Sequence, residues 1–343
     1  MKRINLALQG GGAHGAFTWG VLDRLLQDDG IEIAAISATS AGALNAAALK
    51  SGWVRDGRAG ARENLDWLWG QVGAVTDARL TDWVSSMAPA AHVVAQAMKY
   101  SPAYAALDMT SRMMSPYVTG PLMRNPLEKI VKQFHYDAVC GQVGPALHIC
   151  TTNVRSGKIR VFSGDEISSD VIMASACLPT MFQAVEFTDP RTGRSEAFWD
   201  GGYSGNPALF PLFAKDLPDD ILVVNINPLY RAELPTDVQA IQNRINEISF
   251  NSSLLRELRA IAFVKRLLAD GSMTRGTMKD VIVHMIADDL LMNELNVATK
   301  TIPQPVILAR LKEAGQAAAD AFLKNHKADL NVKSTVDLDL MFN

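Results

Sequence analysis

The 343-residue sequence predicts a single α/β domain on a mostly parallel sheet, with a helical extension after about residue 230. Three observations lead there. The first fifty residues alternate strand, helix, strand and helix patterns at the spacing of parallel pairing. Short apolar runs recur down the chain and reappear near its end. With 48% apolar and 20% charged residues, the chain can bury a large core.

Taken in order, Ile4–Leu8 reads as a short buried strand, followed by a glycine-rich turn and a helix through about Gln27. Ile33–Ser37 is a second strand, and Ala41–Leu49 a helix rich in Ala and Leu. Further strands are expected at 146–151, 158–163, 195–199, 221–226 and 281–286, and helices at 60–70, 126–134, 168–176, 236–269 and 305–326. The strand at Val281 follows a long helical stretch, so it should rejoin the main sheet. That favours one domain over 1–343, with a core of about 1–230, over two domains. In 254–268, Leu254, Leu258, Ile261 and Leu268 share one helical face, as in a packed helix with a solvated back. A membrane-surface helix is the less common explanation.

A net charge of −3 leaves no electrostatic footprint for nucleic acid and none for purely electrostatic docking on anionic membranes. Cys140, Cys150 and Cys177 are odd in number and lack metal-like spacing, so a reduced, cytoplasmic setting is expected, each a small buried residue. The apolar run after Met1-Lys2-Arg3 is too short for an export signal, and no run reaches the roughly 18 apolar residues of a spanning helix. The expected protein touches a membrane peripherally and does not cross it. The sequence is compatible with a homo-oligomer.

Gln9-Gly10-Gly11-Gly12-Ala13-His14-Gly15 lies between a strand and a helix. Consecutive glycines let backbone N–H groups converge without side chains in the way, and the helix adds its positive end. Such a loop holds negative charge, either a phosphate or the oxyanion of acyl transfer. Gly10-x-Gly12-x-x-Gly15 also fits a dinucleotide fingerprint, which expects an acidic residue at the end of the second strand. Here that strand ends Ile36-Ser37-Ala38-Thr39-Ser40-Ala41-Gly42, with no carboxylate.

A nucleophile elbow stands in its place. Ser40 lies between strand and helix, and the sharp turn admits only small side chains at Ala38 and Gly42. A serine nucleophile needs a base. Asp200, in Phe198-Trp199-Asp200-Gly201-Gly202, ends a strand-like stretch, and burial beside the aromatics would raise its pKa toward that role. A third arrangement adds a histidine in the order Ser, Asp, His, for which His284 and His326 qualify by position. His284 lies inside an apolar run, where a core histidine is more common.

These pieces, spanning 5–205, resemble the patatin-like phospholipase family, which joins a glycine-rich oxyanion loop, a Gly-x-Ser-x-Gly elbow and an Asp-Gly-Gly base. Ala174-Ser175-Ala176-Cys177-Leu178-Pro179, with Phe182, resembles the family segment beside the active site. The resemblance implies an α/β/α sandwich and a serine acyl hydrolase acting on lipid esters without metal or other cofactor. It makes Ser40 the nucleophile, Asp200 the base, and the N–H groups of Gly10, Gly11 and Gly12 the oxyanion hole. Two departures stand out. Ala38 replaces the first elbow glycine, and His14 stands where the family usually has Arg or Lys, which leads to an expected pH dependence near neutrality. An inactive lipid-binding module is the non-enzymatic alternative.

Six of fourteen methionines fall between residues 87 and 123, among prolines and aromatics. Methionine adapts to varied apolar shapes. Residues 83–123 are therefore expected to form a cap, with Met109, Met113 and Met114 in an acyl-chain groove.

Overall fold

The computed structural model describes residues 1–75, 91–99, 101–102, 106, 109, 114–119 and 125–342. Eight strands, β1 (Lys2–Leu8), β2 (Ile31–Ala38), β3 (Ala146–Asn153), β4 (Ile159–Ser163), β5 (Val185–Asp189), β6 (Arg194–Asp200), β7 (Asp220–Val224) and β8 (Ile282–Ile286), form one sheet. Their order is β5-β6-β3-β2-β1-β7-β8, with β4 paired to β3. The pairs among β8, β7, β1, β2 and β3 are parallel, while β4, β5 and β6 pair antiparallel. As expected, the strand near the end of the chain rejoins the sheet, beside β7.

Central strands are apolar on both faces, as a sheet covered twice requires. Leu6 and Leu8 of β1 face one core, shared with helices α1 (Gly15–Leu26) and α2 (Ala41–Val72). Ala7 faces a second core with Ile221 and Val223. The layers are thus α/β/α. Helix α2 breaks at Asp56 and Gly57, whose backbone is non-helical.

Residues after 231 are more than an extension. Helix α4 (Val238–Ala269) covers the second core through Leu254, Leu258, Ile261 and Leu268, all buried. Helix α5 (Pro305–His326) buries Leu308 and Leu311 in the first core, beside α1. Between β4 and β5, the short α3 (Ser169–Ser175) starts at a Ser168 cap. Strand β5 and the helices Asp289–Glu294 and Val297–Thr301 are absent from the sequence expectation. All are five or six residues long, too short for a periodic signal.

The register of β3 positions the site. Its residues 146–149 pair with β2, and 151–153 pair with β6. Strand β4 pairs with 148–152 and occupies the other edge of β3. Strands β2 and β6 therefore lie on the same edge and run head-on toward each other. Ala38 ends opposite Ile149, and Asp200 ends opposite Thr151. The residues that leave these two strand ends are forced together.

Candidate active site

Ser40 leaves the end of β2 with φ 54° and ψ −121°, a conformation that L-residues rarely adopt, and caps α2. The sharp turn is held from several sides. Ser175 Oγ accepts the Ser40 N–H at 2.9 Å and donates to the Cys150 carbonyl at 2.7 Å. Thr39 Oγ1 donates to the Gly205 carbonyl at 2.7 Å. A methyl group added at Gly42 would collide with the carbonyl of Leu8. Ala38 is fully buried at the other side of the turn. Two small side chains at these positions are what the crowding permits.

Asp200 is buried and lies beside Ser40. Its N–H donates to the Cys177 carbonyl at 2.8 Å, and its Oδ1 accepts the Gly202 N–H at 2.7 Å. Thr152 Oγ1 donates to its carbonyl at 2.8 Å. Gly201 packs against the Cys150 carbonyl, leaving no room for a side chain. The segment 174–179 therefore touches both partners, through Ser175 and Cys177, and ends at the half-buried Pro179. Burial pushes the Asp200 carboxyl up to about 7, against the opposing pull of the Gly202 N–H and the Ser40 hydroxyl. The last contact brings the alcohol and the carboxylate together.

The glycine loop abuts Ser40, since a methyl added at Gly10 would stand 2.6 Å from Ser40 Cβ. One at Gly15 would stand 2.7 Å from Ala41 Cβ. The Gly10 N–H, however, is already taken, donating to Asn206 Oδ1 at 2.7 Å. Among the described residues the N–H groups of Gly11 and Gly12 have no such acceptor. Gly12 has φ 59°, and the carbonyl of Lys300 fills the space a side chain would need. The loop is fixed from below by Gln9. Its Oε1 accepts the N–H groups of Ile226 and Asn227, and its Nε2 donates to Asn251 Oδ1 at 3.2 Å. Asn227 Nδ2 donates to the Gly10 carbonyl at 2.8 Å. Asn206, Asn227 and Asn251 escaped the sequence reading, because isolated asparagines look like turn residues until long-range contacts collect them. Asn206, six residues after Asp200 and followed by Pro207, was the most accessible signal.

His14 corrects an expectation. It is buried, its Nε2 lies 2.8 Å from Thr299 Oγ1, and its Nδ1 has no partner among the described residues. Burial, reinforced by the positive charges of Lys300 and Arg231, holds its pKa well below the usual value. The imidazole stays neutral through neutral pH and is no switch there. His284 is likewise placed away from Ser40. Its Nε2 lies 2.9 Å from Asp220 Oδ1 and its Nδ1 3.1 Å from Thr335 Oγ1, at the start of β7 and the opposite end of the sheet. His326 pairs with Asp329 at 3.1 Å. Neither histidine joins Ser40 and Asp200.

Met113 and most of 83–123 lie outside the described residues, and Met109 and Met114 are exposed. All three cysteines are free thiols, two buried and Cys140 half-buried. Among the described residues no helix is long and apolar enough to cross a membrane.

None of the curated proteins matches the chain. Solved structures with similarity include VipD from Legionella pneumophila, at 15% identity and TM-score 0.40, over 95% of this chain and 67% of that one. Another is full-length ExoU, in complex with SpcU, from the type III secretion system of Pseudomonas aeruginosa. It aligns at 15% identity and TM-score 0.32, over 94% of this chain and 53% of that one. The family model described as patatin-like phospholipase matches residues 6–213, which hold the glycine loop, the Ser40 elbow and Asp200-Gly201-Gly202. That span is more than half the sequence, and the chain belongs to the patatin-like phospholipase family.

Proposed function

We propose that the chain is a serine acyl hydrolase that cleaves carboxylic ester bonds of lipids with Ser40 and Asp200. The observation carrying this reading is the buried Asp200 carboxyl against the Ser40 hydroxyl, with a pKa pushed up to about 7. A carboxylate at its ordinary pKa of about 4 is a poor base for an alcohol. One raised toward neutrality can take the proton as the new bond forms.

In this mechanism Ser40 Oγ attacks the ester carbonyl carbon while its proton passes to Asp200. The oxyanion settles on the N–H groups of Gly11 and Gly12 and on the positive end of α2. Asp200 then protonates the leaving alcohol, and an acyl-Ser40 intermediate remains. Water attacks that acyl group and gives its proton to Asp200, which passes it to Ser40 Oγ as the fatty acid leaves, restoring both side chains. Lipase, phospholipase A and lysophospholipase reactions all use these same steps.

A serine-directed fluorophosphonate should label the wild-type chain and leave Ser40→Ala unlabelled. A panel of esters from two to eighteen acyl carbons, with phospholipid vesicles alongside, should show turnover in the wild type only. Equal labelling of both chains would remove Ser40 from its role. A folded chain that neither labels nor turns over any ester would be a lipid-binding module.

A further inference from the structure

Helix α4 reverses its polarity halfway along. From residue 238 to 255 its only charged side chains are Arg244 and Glu247. Both turn inward. Glu247 is buried and accepts from Nε and Nη2 of Arg231, at 2.8 and 2.7 Å, with Arg244 at 3.4 Å and Lys300 at 3.7 Å. The outward face carries Val238, Ile241, Ile245 and Ile248, each between 42% and 75% exposed. Steps of three, four and three residues put them on one stripe. Gln242 and Asn246, exposed beside it, are uncharged amides.

The helix cannot roll to hide this stripe. Rotation would break the Arg231–Glu247 pair and the Asn251 bond to Gln9, and would leave a buried carboxylate unpaired. The stripe also leads to the catalytic pair. Two residues beyond Ile248, Phe250 packs edge-on against Tyr203 at 5.1 Å and borders Gly202, next to Asp200.

We propose that the Val238–Ile248 stripe of α4 is the surface by which the protein seats itself on a phospholipid bilayer, beside the mouth of its site. The proposal rests on the lipid-hydrolase reading for its choice of occupant. From Val238 to Ile248 the ridge is about 15 Å long. One helix face of that length falls short of the about 800 Å² per partner in a stable dimer. Shallow insertion among lipid headgroups needs only a ridge of a few apolar side chains. The stripe bears no charge, so anionic lipid is not required.

Co-sedimentation with phosphatidylcholine vesicles tests it, using Ser40→Ala so that no lipid is consumed, with and without Ile241→Asn and Ile245→Asn. The paired substitution should weaken partitioning by about tenfold or more. Adding phosphatidylglycerol should change binding by less than about twofold. The melting temperature should hold, because both isoleucines are exposed. In the Ser40 background, a water-soluble acetyl ester should be cleaved equally with or without the pair. Equal vesicle binding by both chains, or none by the parent, would overturn the proposal. So would a dimer in sedimentation velocity that the pair abolishes, which would assign the stripe to a second copy. If vesicle binding behaves as expected but no ester is cleaved, the docking surface stands and the hydrolase reading falls.

Discussion

Two buried aspartates mark the two ends of the sheet, and their surroundings differ in kind. Asp200 lies beyond the carboxyl end of β2, with one backbone N–H and a serine hydroxyl for partners. Asp220 begins β7 at the amino end. It accepts the Asn331 N–H at 2.7 Å, Asn331 Nδ2 at 2.9 Å, and lies 2.9 Å from His284 Nε2. Burial acts to raise both. At Asp200 it prevails and the carboxyl rises to about 7, whereas at Asp220 the His284 and Asn331 hydrogen bonds outweigh it and the pKa falls. Two carboxylates equally closed to solvent are therefore not equal acids. What separates the proposed base from a structural pin is deeper burial in the protein together with fewer donors around the carboxylate.

The largest expected effect breaks the first of the pair. Asp200→Asn should lower kcat by about 10²–10⁴, the usual cost of losing a general base. In the wild type, kcat/KM should rise with pH through about 7, because the base works only when ionised. Stability should run the other way. The folded pKa lies above the unfolded value of about 4, so the folded form favours the protonated acid. Asp200 therefore stabilises fully below pH about 4, and that contribution is lost as pH rises through about 7. Asp200→Asn should gain stability relative to wild type at pH 8, by a few kcal/mol at most. Thermal unfolding at pH 5 and pH 8, beside a pH–rate profile, checks both signs. A variant that is inactive yet less stable at pH 8 than at pH 5, relative to wild type, would contradict the strained-base account.

Breaking the second aspartate should do the opposite. Asp220→Asn removes a charge-assisted cluster that ties Asn331 and His284 to β7, and should cost about 2 kcal/mol at neutral pH. With a folded pKa below the unfolded one, this contribution is present above pH about 4 and lost as pH falls through the lowered value. The wild-type advantage over Asp220→Asn should therefore shrink in acid, where the Asp200 contribution grows. Turnover should survive at both His284→Ala and Asp220→Asn, within about tenfold, once temperature is set well below melting. A collapse of kcat in folded His284→Ala would reinstate a histidine in the mechanism.

The same contrast shows what could be read without the fold. The glycine loop, the Ser40 elbow and Asp200-Gly201-Gly202 carry local signals, because close backbone approach excludes all but small residues at Gly10, Gly15, Gly42 and Gly201. Seven of the eight strands and the long helices were visible from short apolar runs and apolar periodicity. The head-on meeting of β2 and β6 was not, because it depends on a register set by β3, more than a hundred residues from β2. The competing engagement of the Gly10 N–H needs Asn206, whose place before Pro207, six residues after Asp200, hints at it without naming its partner. Helix α4 was legible in its second half and not in its first. Its buried stripe at Leu254, Leu258, Ile261 and Leu268 is regular, and periodicity alone does not tell that Val238, Ile241, Ile245 and Ile248 face outward while Arg244 and Glu247 face in.

The smallest expected effect concerns His14, and it sharpens the comparison by assigning the neutral-pH titration to one group. Asp200 and His14 are two titratable side chains that border the glycine loop and Ser40. Asp200 is raised to about 7, and His14 is driven well below its usual value by burial, Lys300 and Arg231. Only the first titrates where activity would be measured. His14→Gln keeps a polar group within reach of Thr299 Oγ1 and adds no charge beside Lys300. Its neutral amide resembles the neutral imidazole it replaces, so kcat/KM should change by no more than about threefold and melting by about 1 kcal/mol or less. The midpoint of the pH–rate profile should stay near 7, within about 0.3 of a pH unit, since the charge around Asp200 is unchanged. A midpoint displaced by a full unit, or a limb that disappears, would mean that the imidazole itself carries the ionisation. Asp200→Asn with a residual rate would decide the matter from the other side, since its pH profile should be flat between pH 6 and 8 if the carboxylate is the titrating base.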